Sequence, residues 1–276
     1  MNKALIEKLE DGTIKITITL PKEDVEKTRL EVVDEYVKTA NLPGFRQGKA
    51  PAAMVEEKID KEKLKEDILK KLLHVAYTRA VQENKIKPIM NPKIHIDKLE
   101  NSQDWEFTAL TCEEPELDLG EYKKNIIDLT AKSKIIVPGK EEKKASNEEL
   151  MKVIIDSVKA KIPAILIEQE ADKLLSQLLN DIKKLGLNLD QYLASTNRNP
   201  EALRTEYSKR AEDDIKLEFA LHKIAEAENI TVDPKEVDEA IQKAHDDEER
   251  ARLEANRYLL SAILRQQKTI DFLLNL

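Results

Sequence analysis

The chain has 276 residues, a formal net charge of −8, 36% charged residues and only 4% aromatic residues. The length fits about two domains of ordinary size, and the scarcity of aromatic side chains argues against an enzyme built around small-molecule pockets. Residues 1–115 carry 20 basic and 22 acidic side chains and the remainder carry 26 and 32, so neither part is a bulk binder of polyanions. The composition therefore favours an extended, charged helical protein that still has hydrophobic cores.

The sequence contains no disulfide and no segment typical of a membrane protein. A single cysteine, Cys112, excludes an internal disulfide, and its place in a strand-like pattern predicts a small buried apolar side chain. The amino-terminal stretch MNKALIEKLEDG lacks the apolar run of a signal peptide, and no segment approaches the ~20 apolar residues of a membrane span. We expect a reducing, cytoplasmic location without membrane contact.

The first part of the chain, residues 1–115, has the pattern of an α+β domain. TIKITITL alternates strictly, as a half-buried strand does, and the following stretch repeats its apolar residues every three or four positions, as an amphipathic helix does. Helices on one face of a small antiparallel sheet are expected. The predicted strands are 13–20, 93–99 and 105–112, and the predicted helices are 22–40, 52–59 and 61–85.

The remainder is predicted to be a connector followed by an elongated all-α domain with helical arms. Residues 116–147 are interpreted as an extended segment and a lysine-rich linker, because Pro115 and Gly120 oppose a helix. Residues 148–276 are helical by pattern, and helix starts are indicated by the S-x-x-E capping box at 146–149 and by prolines at the first turn. The predicted helices begin near residues 146, 163, 200 and 233, with one unbroken helix over 246–274.

Known catalytic and metal-binding patterns are absent from the sequence. GFRQGKAP resembles a phosphate-binding loop only superficially, since Gly44 and Gly48 enclose three residues where four are required and Ala50 occupies the position of the Mg²⁺-binding hydroxyl. The four histidines, at positions 74, 95, 222 and 245, lack metal-ligand spacing, and no serine or cysteine lies in a nucleophile elbow. We expect no catalytic residue, no metal and no cofactor.

The segment NLPGFRQGKAP, residues 41–51, is the strongest candidate for a contact site. Gly44 and Gly48 permit unusual backbone angles between two prolines, so the tip is expected to project in a defined shape. Arg46 can bind phosphate or carboxylate, Lys49 adds a charge, and Phe45 can enter an apolar crevice or stack on a base. The alternative is a tight turn in which Phe45 folds onto the local core and the cations are incidental.

Residues 43–51, PGFRQGKAP, resemble the G-F-R-x-G-K-x-P signature of trigger factor, the bacterial ribosome-associated chaperone. The order of strand, helix, loop and helices around this loop is similar to that of the family's ribosome-binding domain. IPAILIEQEADKLLSQL (162–178) and NRYLLSAILRQQKTIDFLL (256–274) resemble segments of its helical substrate-binding domain. The resemblance covers nearly the whole chain.

The resemblance implies that this loop docks beside the exit tunnel of the large ribosomal subunit, touching protein and ribosomal RNA. It makes residues 44–49 the contact site, with Phe45 and Arg46 as the first two contact residues. Gln47 stands where a lysine is frequent in the family, which should weaken the electrostatic part of binding, while Lys49 preserves a share of it. Nascent and unfolded polypeptides are the other implied partners, and no DNA is expected.

The chain departs from the family where a prolyl isomerase domain is normally inserted. Only residues 131–147 separate the extended segment from the helical domain, and an independent domain needs roughly 50 residues or more. We therefore expect no isomerase activity, and an ATP-independent chaperone that uses the apolar surface of 148–276, at residues the pattern does not single out. A divergent isomerase and a ribosome-independent holdase or assembly scaffold are the alternatives, and the oligomeric state, including a weak homodimer, is left open.

Overall fold

The computed structural model describes residues 3–100, 103–133 and 146–276. The chain divides into two compact units. The first consists of Met1–Glu114 with Pro163–Leu166, and the second of Pro115–Ile162 with Ile167–Leu276. Most of the predicted linker, residues 134–145, lies outside the described residues.

The first unit is built on a four-stranded antiparallel sheet with strand order β1-β2-β4-β3. Its strands are β1 (Lys3–Lys8), β2 (Thr13–Leu20), β3 (Lys93–Lys98) and β4 (Trp105–Cys112). The last three match the alternating segments of the sequence to within one residue. β1 was not predicted, because as an edge strand it turns only Ile6 towards the core and so has no apolar alternation.

The alternating residues of β2 form the core of this unit. Ile16 and Ile18 are fully buried and lie opposite Ala109 and Phe107 of β4. Two helices contribute the other side of the same core: α1 (Lys22–Thr39) and α3 (Lys61–Glu83). The short helix α2 (Ala52–Glu56) lies between them in the chain and buries Val55. The α+β architecture predicted for this part is confirmed.

Cys112 is a buried free thiol at the end of β4, as predicted. Burial raises the pKa of this thiol to about 11, with a smaller contribution from the charge of Asp11. The side chain is therefore a protonated, apolar packing element at neutral pH.

The second unit is helical apart from a short two-stranded ladder between β5 (Leu117–Asp118) and β6 (Lys159–Ala160). This confirms the predicted all-α class for the carboxy-terminal part. The helices are α4 (Tyr122–Ser133), α5 (Asn147–Ser157), α6 (Ala164–Lys184), α7 (Leu189–Thr196), α8 (Pro200–Ala227), α9 (Pro234–Gln242), α10 (Asp247–Ala255) and α11 (Arg257–Leu274).

Helix starts in the second unit follow the capping signals of the sequence. Ser146 forms a complete capping box with Glu149 at the start of α5, and Asp233 forms one with Glu236 at the start of α9. Each box satisfies two backbone N–H groups that a helix start leaves without partners. Gly186 ends the α6 region with φ +74°, a conformation that favours glycine.

The core of the second unit is a cluster of nearly fully buried aliphatic side chains. It joins α4, α5, α8 and α11 and includes Ile126, Leu150, Ile154, Leu221, Ile224 and Leu273. Ion pairs fix α11 to α9: Lys268 contacts Glu236 at 2.8 Å, and Arg257 pairs with Asp238.

The structure differs from the sequence-based prediction at three places in this unit. Residues 122–133, predicted to be an extended connector, form α4, because Gly120 adopts φ +55° and so turns the chain just before the helix begins. The unbroken helix predicted over 246–274 is divided at Asn256 into α10 and α11. Helix α7 was also missed, although Asn188 and Gln191 form a capping box there.

Candidate functional site

The loop between α1 and α2 begins with a hydrogen-bonded turn. The amide of Phe45 donates to the carbonyl of Leu42 over 3.1 Å. Pro43 and Gly44 occupy the middle of this turn, and Gly44 has φ +89°. Proline followed by a residue with positive φ is the sequence signature of a type II turn. The predicted use of this glycine is confirmed.

A second turn follows immediately. The amide of Lys49 donates to the carbonyl of Arg46 over 2.9 Å, with Gln47 and Gly48 between them. Gly48 has φ +77°, and a Cβ atom placed on it would lie 3.5 Å from the carbonyl oxygen of Lys38. The second turn therefore rests on the last turn of α1, which fixes where the loop leaves the helix.

The polar side chains of the loop point into solvent without internal partners. Arg46, Gln47 and Lys49 are exposed, and within the described parts of the chain none of the three makes a side-chain hydrogen bond or ion pair. Phe45 keeps 38% of its surface exposed, whereas Ala50 is buried at the base. The expectation of a presented ring with neighbouring cations thus agrees with the geometry better than the alternative of an enclosed ring.

The loop also lies in a stretch without acidic residues. From Tyr36 to Val55 the sequence contains Lys38, Arg46 and Lys49 but no aspartate or glutamate, in a chain with 54 acidic residues among 276. Because the protein as a whole is negative, this segment is a local positive patch. Such a patch can attract a phosphate-rich surface that the rest of the chain would repel.

Family models match both parts of the chain. The model described as "Bacterial trigger factor protein (TF)" matches residues 2–150, more than half of the sequence. The chain belongs to the trigger factor family. The model described as "Bacterial trigger factor protein (TF) C-terminus" matches residues 139–275. The resemblance seen in the loop signature is thereby confirmed.

Curated trigger factors are similar to part of this chain. Those of Staphylococcus aureus strains JH9 and Newman are 34% identical to this chain over 152 residues, which is 55% of this chain and 33% of theirs. The matched segment thus spans about a third of the length of these relatives.

One solved structure is similar over the whole chain. It was described under "Promiscuous Substrate Recognition in Folding and Assembly Activities of the Trigger Factor Chaperone". The TM-score is 0.65 at 14% identity, covering 98% of this chain and 99% of that one. At this identity the match establishes a shared trigger factor fold.

The second unit of this trigger factor family member exposes several large apolar side chains, and two groups of them lie close together in sequence. At the end of α6, Leu185 is 75% exposed and Leu187 is 40% exposed. On α11, Tyr258, Leu259 and Ile263 lie along a groove of about 280 Å³ between α11 and α8. The sequence did not single out these residues. Apolar residues of a helix repeat every three or four positions whether they face the core or an open groove, so the repeat alone does not show which of them are exposed.

Exposed Met54 is a further residue that the sequence did not single out. It lies in α2, a helix of five residues that buries only Val55, and is 46% exposed. The sequence feature that could have indicated this exposure is the shortness of the helix. A helix of little more than one turn can bury a single side chain, here Val55, and leaves its neighbour Met54 in solvent.

No group of three or more histidine, cysteine, aspartate or glutamate side chains within 3–100, 103–133 and 146–276 could hold a metal ion. Over the same ranges, no helix has the length and apolarity needed to cross a lipid bilayer.

Proposed function

We propose that this protein is an ATP-independent chaperone that docks at the ribosomal exit site and holds nascent or unfolded polypeptides. The proposal rests on one observation above others. The loop of residues 43–51 presents Phe45, Arg46 and Lys49 from two fixed turns, in a positive patch of a negative protein.

The loop offers two complementary kinds of contact. A guanidinium forms paired hydrogen bonds to phosphate or carboxylate, which suits both ribosomal RNA and an acidic protein side chain. An aromatic ring half withdrawn from water can complete its burial in an apolar crevice or on a base. Gly44, Gln47 and Gly48 would shape the tip that carries these side chains.

The exposed apolar side chains of the second unit are the proposed client surface. Leu185, Leu187, Tyr258, Leu259 and Ile263 would each remove apolar area from water when an unfolded segment binds. Several small, separate contacts give weak and quickly reversible binding, which requires no nucleotide. We propose that the protein has no prolyl isomerase activity and resides in the cytoplasm.

Co-sedimentation with purified bacterial ribosomes across a range of salt concentrations tests the docking step. The double variant Phe45→Ala with Arg46→Ala should bind about tenfold more weakly, as expected when an aromatic and an arginine anchor are lost together. The matched control is Lys27→Ala with Leu30→Ala, which removes an exposed cation and an exposed apolar side chain from α1. This control should sediment like the unaltered protein.

Two outcomes would favour the other functions. Unchanged ribosome binding by the loop variant, with suppression of aggregation retained, would support a ribosome-independent holdase or assembly scaffold. Faster cis/trans exchange of a proline-containing peptide at high protein concentration would support a divergent isomerase.

A further inference from the structure

Strand β1 is an open edge of the sheet in the first unit. Within the described residues its only strand neighbour is β2, and Ile6 alone among its residues is partly buried. Ala4 lies on the same face as Ile6, which packs against the core below the helices, yet Ala4 is exposed. No described helix therefore covers the edge at this point, and an open edge can pair with a further strand.

The hairpin between β1 and β2 determines which backbone groups point away from the sheet. The amide of Leu9 donates to the carbonyl of Thr13 over 2.8 Å, and these two residues continue the register of the strands. In an antiparallel ladder, pairs that exchange hydrogen bonds alternate with pairs that do not. The odd-numbered residues of β1 therefore bond to β2, whereas the N–H and C=O groups of Ala4, Ile6 and Lys8 face outward. Within the described residues these outward groups have no hydrogen-bond partner.

The other edge of the sheet, β3, is less regular. Its pairing with β4 shifts register between Ile96 and Lys98, and an irregularity of this kind disturbs an edge and protects it from pairing. β1 pairs with β2 from Lys3 to Lys8 without any shift. Of the two edges, β1 is thus the better template for another strand.

The side chains on the outer face of β1 are complementary to themselves. Lys3, Leu5 and Glu7 lie on the face opposite to Ile6 and place a cation, an apolar group and an anion at equal spacing. Leu5 is 70% exposed, and neither Lys3 nor Glu7 has an ion pair or side-chain hydrogen bond within the described residues. An identical antiparallel strand with the two Leu5 residues opposite each other brings each Lys3 opposite the Glu7 of the second copy.

The same register satisfies the backbone. It places Ala4 of each copy opposite Ile6 of the other, so that their outward N–H and C=O groups meet as hydrogen-bonded pairs. A shift by one residue would instead oppose outward groups to groups already bonded to β2. A shift by two residues would place Leu5 opposite Lys3 or Glu7 and lose the contacts between opposite charges.

We propose that β1 pairs with β1 of a second copy of this chain around a two-fold axis. The two sheets would then continue into one another in the order β3-β4-β2-β1-β1-β2-β4-β3. A two-fold contact of this kind uses the same patch on both copies. Because a single strand pair is a small interface, the association is weak and reversible. It uses neither the loop of residues 43–51 nor the exposed apolar side chains of the second unit.

Sedimentation velocity of the full chain over a range of concentrations tests the pairing. The unaltered protein should show a monomer–dimer equilibrium. Lys3→Glu should weaken it about tenfold, because two symmetric contacts change from attraction to repulsion. Glu7→Lys should do the same, and combining both substitutions should restore the dimer. Lys27→Glu is the matched control, because it makes the same charge change at an exposed position of α1 and should have no effect.

Cross-linking tests the register. The two Leu5 Cα atoms should lie about 4.5 Å apart, a separation that a disulfide can bridge. Diamide oxidation of Leu5→Cys should therefore give a linked dimer. In Glu7→Cys the two cysteines would be four positions apart along the paired strands, or roughly 13 Å, and should stay unlinked. The native Cys112 is buried and should not contribute.

A backbone variant separates pairing from folding. Ala4→Pro removes an outward N–H group that β2 does not use, so it should weaken the dimer while circular dichroism stays unchanged. The proposal is overturned if the chain stays monomeric at all concentrations, or if neither Lys3→Glu nor Ala4→Pro weakens the dimer. Protection of the Ile6 amide from hydrogen exchange only after an unfolded polypeptide is added would also overturn it, since the edge would then accept a client strand.

Discussion

The hydroxyl of Tyr122 donates a 2.7 Å hydrogen bond to the Glu228 carboxylate and so joins the first residue of α4 to the end of α8. Lys123 contacts the same carboxylate oxygen at 2.7 Å. Burial, and then the bond to Glu228, raise the pKa of Tyr122 well above its ordinary range. The cluster connects two helices whose residues are far apart in sequence.

Replacing Tyr122 with phenylalanine should therefore destabilise the second unit. Loss of this partly buried hydrogen bond to a charged acceptor should cost about 1.5 kcal/mol of unfolding free energy. Tyr258→Phe is the matched control, because Tyr258 is 92% exposed. This substitution should alter the free energy of unfolding by no more than about 0.5 kcal/mol. Urea denaturation followed by circular dichroism measures both, and equal stabilities would contradict the assigned role of the hydroxyl.

Glu228 should also make this unit sensitive to acid. Hydrogen bonds from Lys123 and then from Tyr122 lower the pKa of Glu228 below its value of 4.5 in an unconstrained chain. A carboxyl with a lowered folded pKa stabilises the protein above its unfolded pKa, and this contribution is lost as the pH falls through the folded pKa.

The urea midpoint should accordingly fall as the pH drops from about 5 to about 3. The urea midpoint of the Glu228→Gln variant should fall less steeply over this pH range, because the amide has no proton to gain. Lys123→Gln should give an intermediate slope, because Tyr122 still lowers the pKa of Glu228. Identical slopes for the unaltered protein and Glu228→Gln would exclude this contribution.

Replacement by alanine should reduce stability by different amounts at two glycines of the second unit, Gly120 and Gly186. A Cβ on Gly120 would lie 2.6 Å from the carbonyl oxygen of Ser157, in addition to the strain of φ +55°. Gly186 has φ +74° but open space around it.

Gly120→Ala should thus cost about 3 kcal/mol, from backbone strain and a steric clash together. Gly186→Ala should cost about 1 kcal/mol from strain alone. Thermal unfolding compares the two variants, and a Gly186→Ala variant as unstable as Gly120→Ala would contradict the role of the clash.

Gln47 provides a gain-of-function test of the proposed ribosome contact. If the loop meets ribosomal phosphates, Gln47→Lys should bind ribosomes more tightly and steepen the dependence of log Kd on log salt by about 1, while Lys49→Gln should reduce it by about 1. Glu57→Gln changes the net charge by the same amount as Gln47→Lys outside the loop and should leave the slope unchanged. A slope that does not respond to Gln47→Lys would favour a protein rather than an RNA contact.

Strands and helices with strong local patterns could be predicted from the sequence. Residues 13–20 were assigned correctly because they alternate between a buried and a more exposed face. Residues 105–112 also form a strand as predicted, although six of the eight are buried. Helix α4 was missed because Gly120 was interpreted as a breaker, whereas it only turns the chain into the helix. The division at Asn256 was missed because no proline or glycine marks it.

The candidate loop was predictable for a local reason, and the groove between α8 and α11 was not. Gly44 and Gly48 adopt positive φ, and the sequence at this tip already places a ring beside Arg46, with Lys49 following. The groove combines side chains such as Leu221 and Ile263 from two separate helices, so nothing in any one segment indicates it. The same holds for exposed Tyr258, whose position on α11 decides its exposure only after the helices pack.

The strand order also determines when the first unit can fold. β2 pairs with β4 from Thr13 opposite Cys112 to Leu20 opposite Trp105, so the centre of the sheet joins segments from opposite ends of this unit. Pairing across such a separation is slow and cannot begin during synthesis until β4 has been made. Until then Ile14, Ile16 and Ile18 lack the strand that lies beside them in the finished sheet, so these apolar side chains remain without their native partners while the chain is being made.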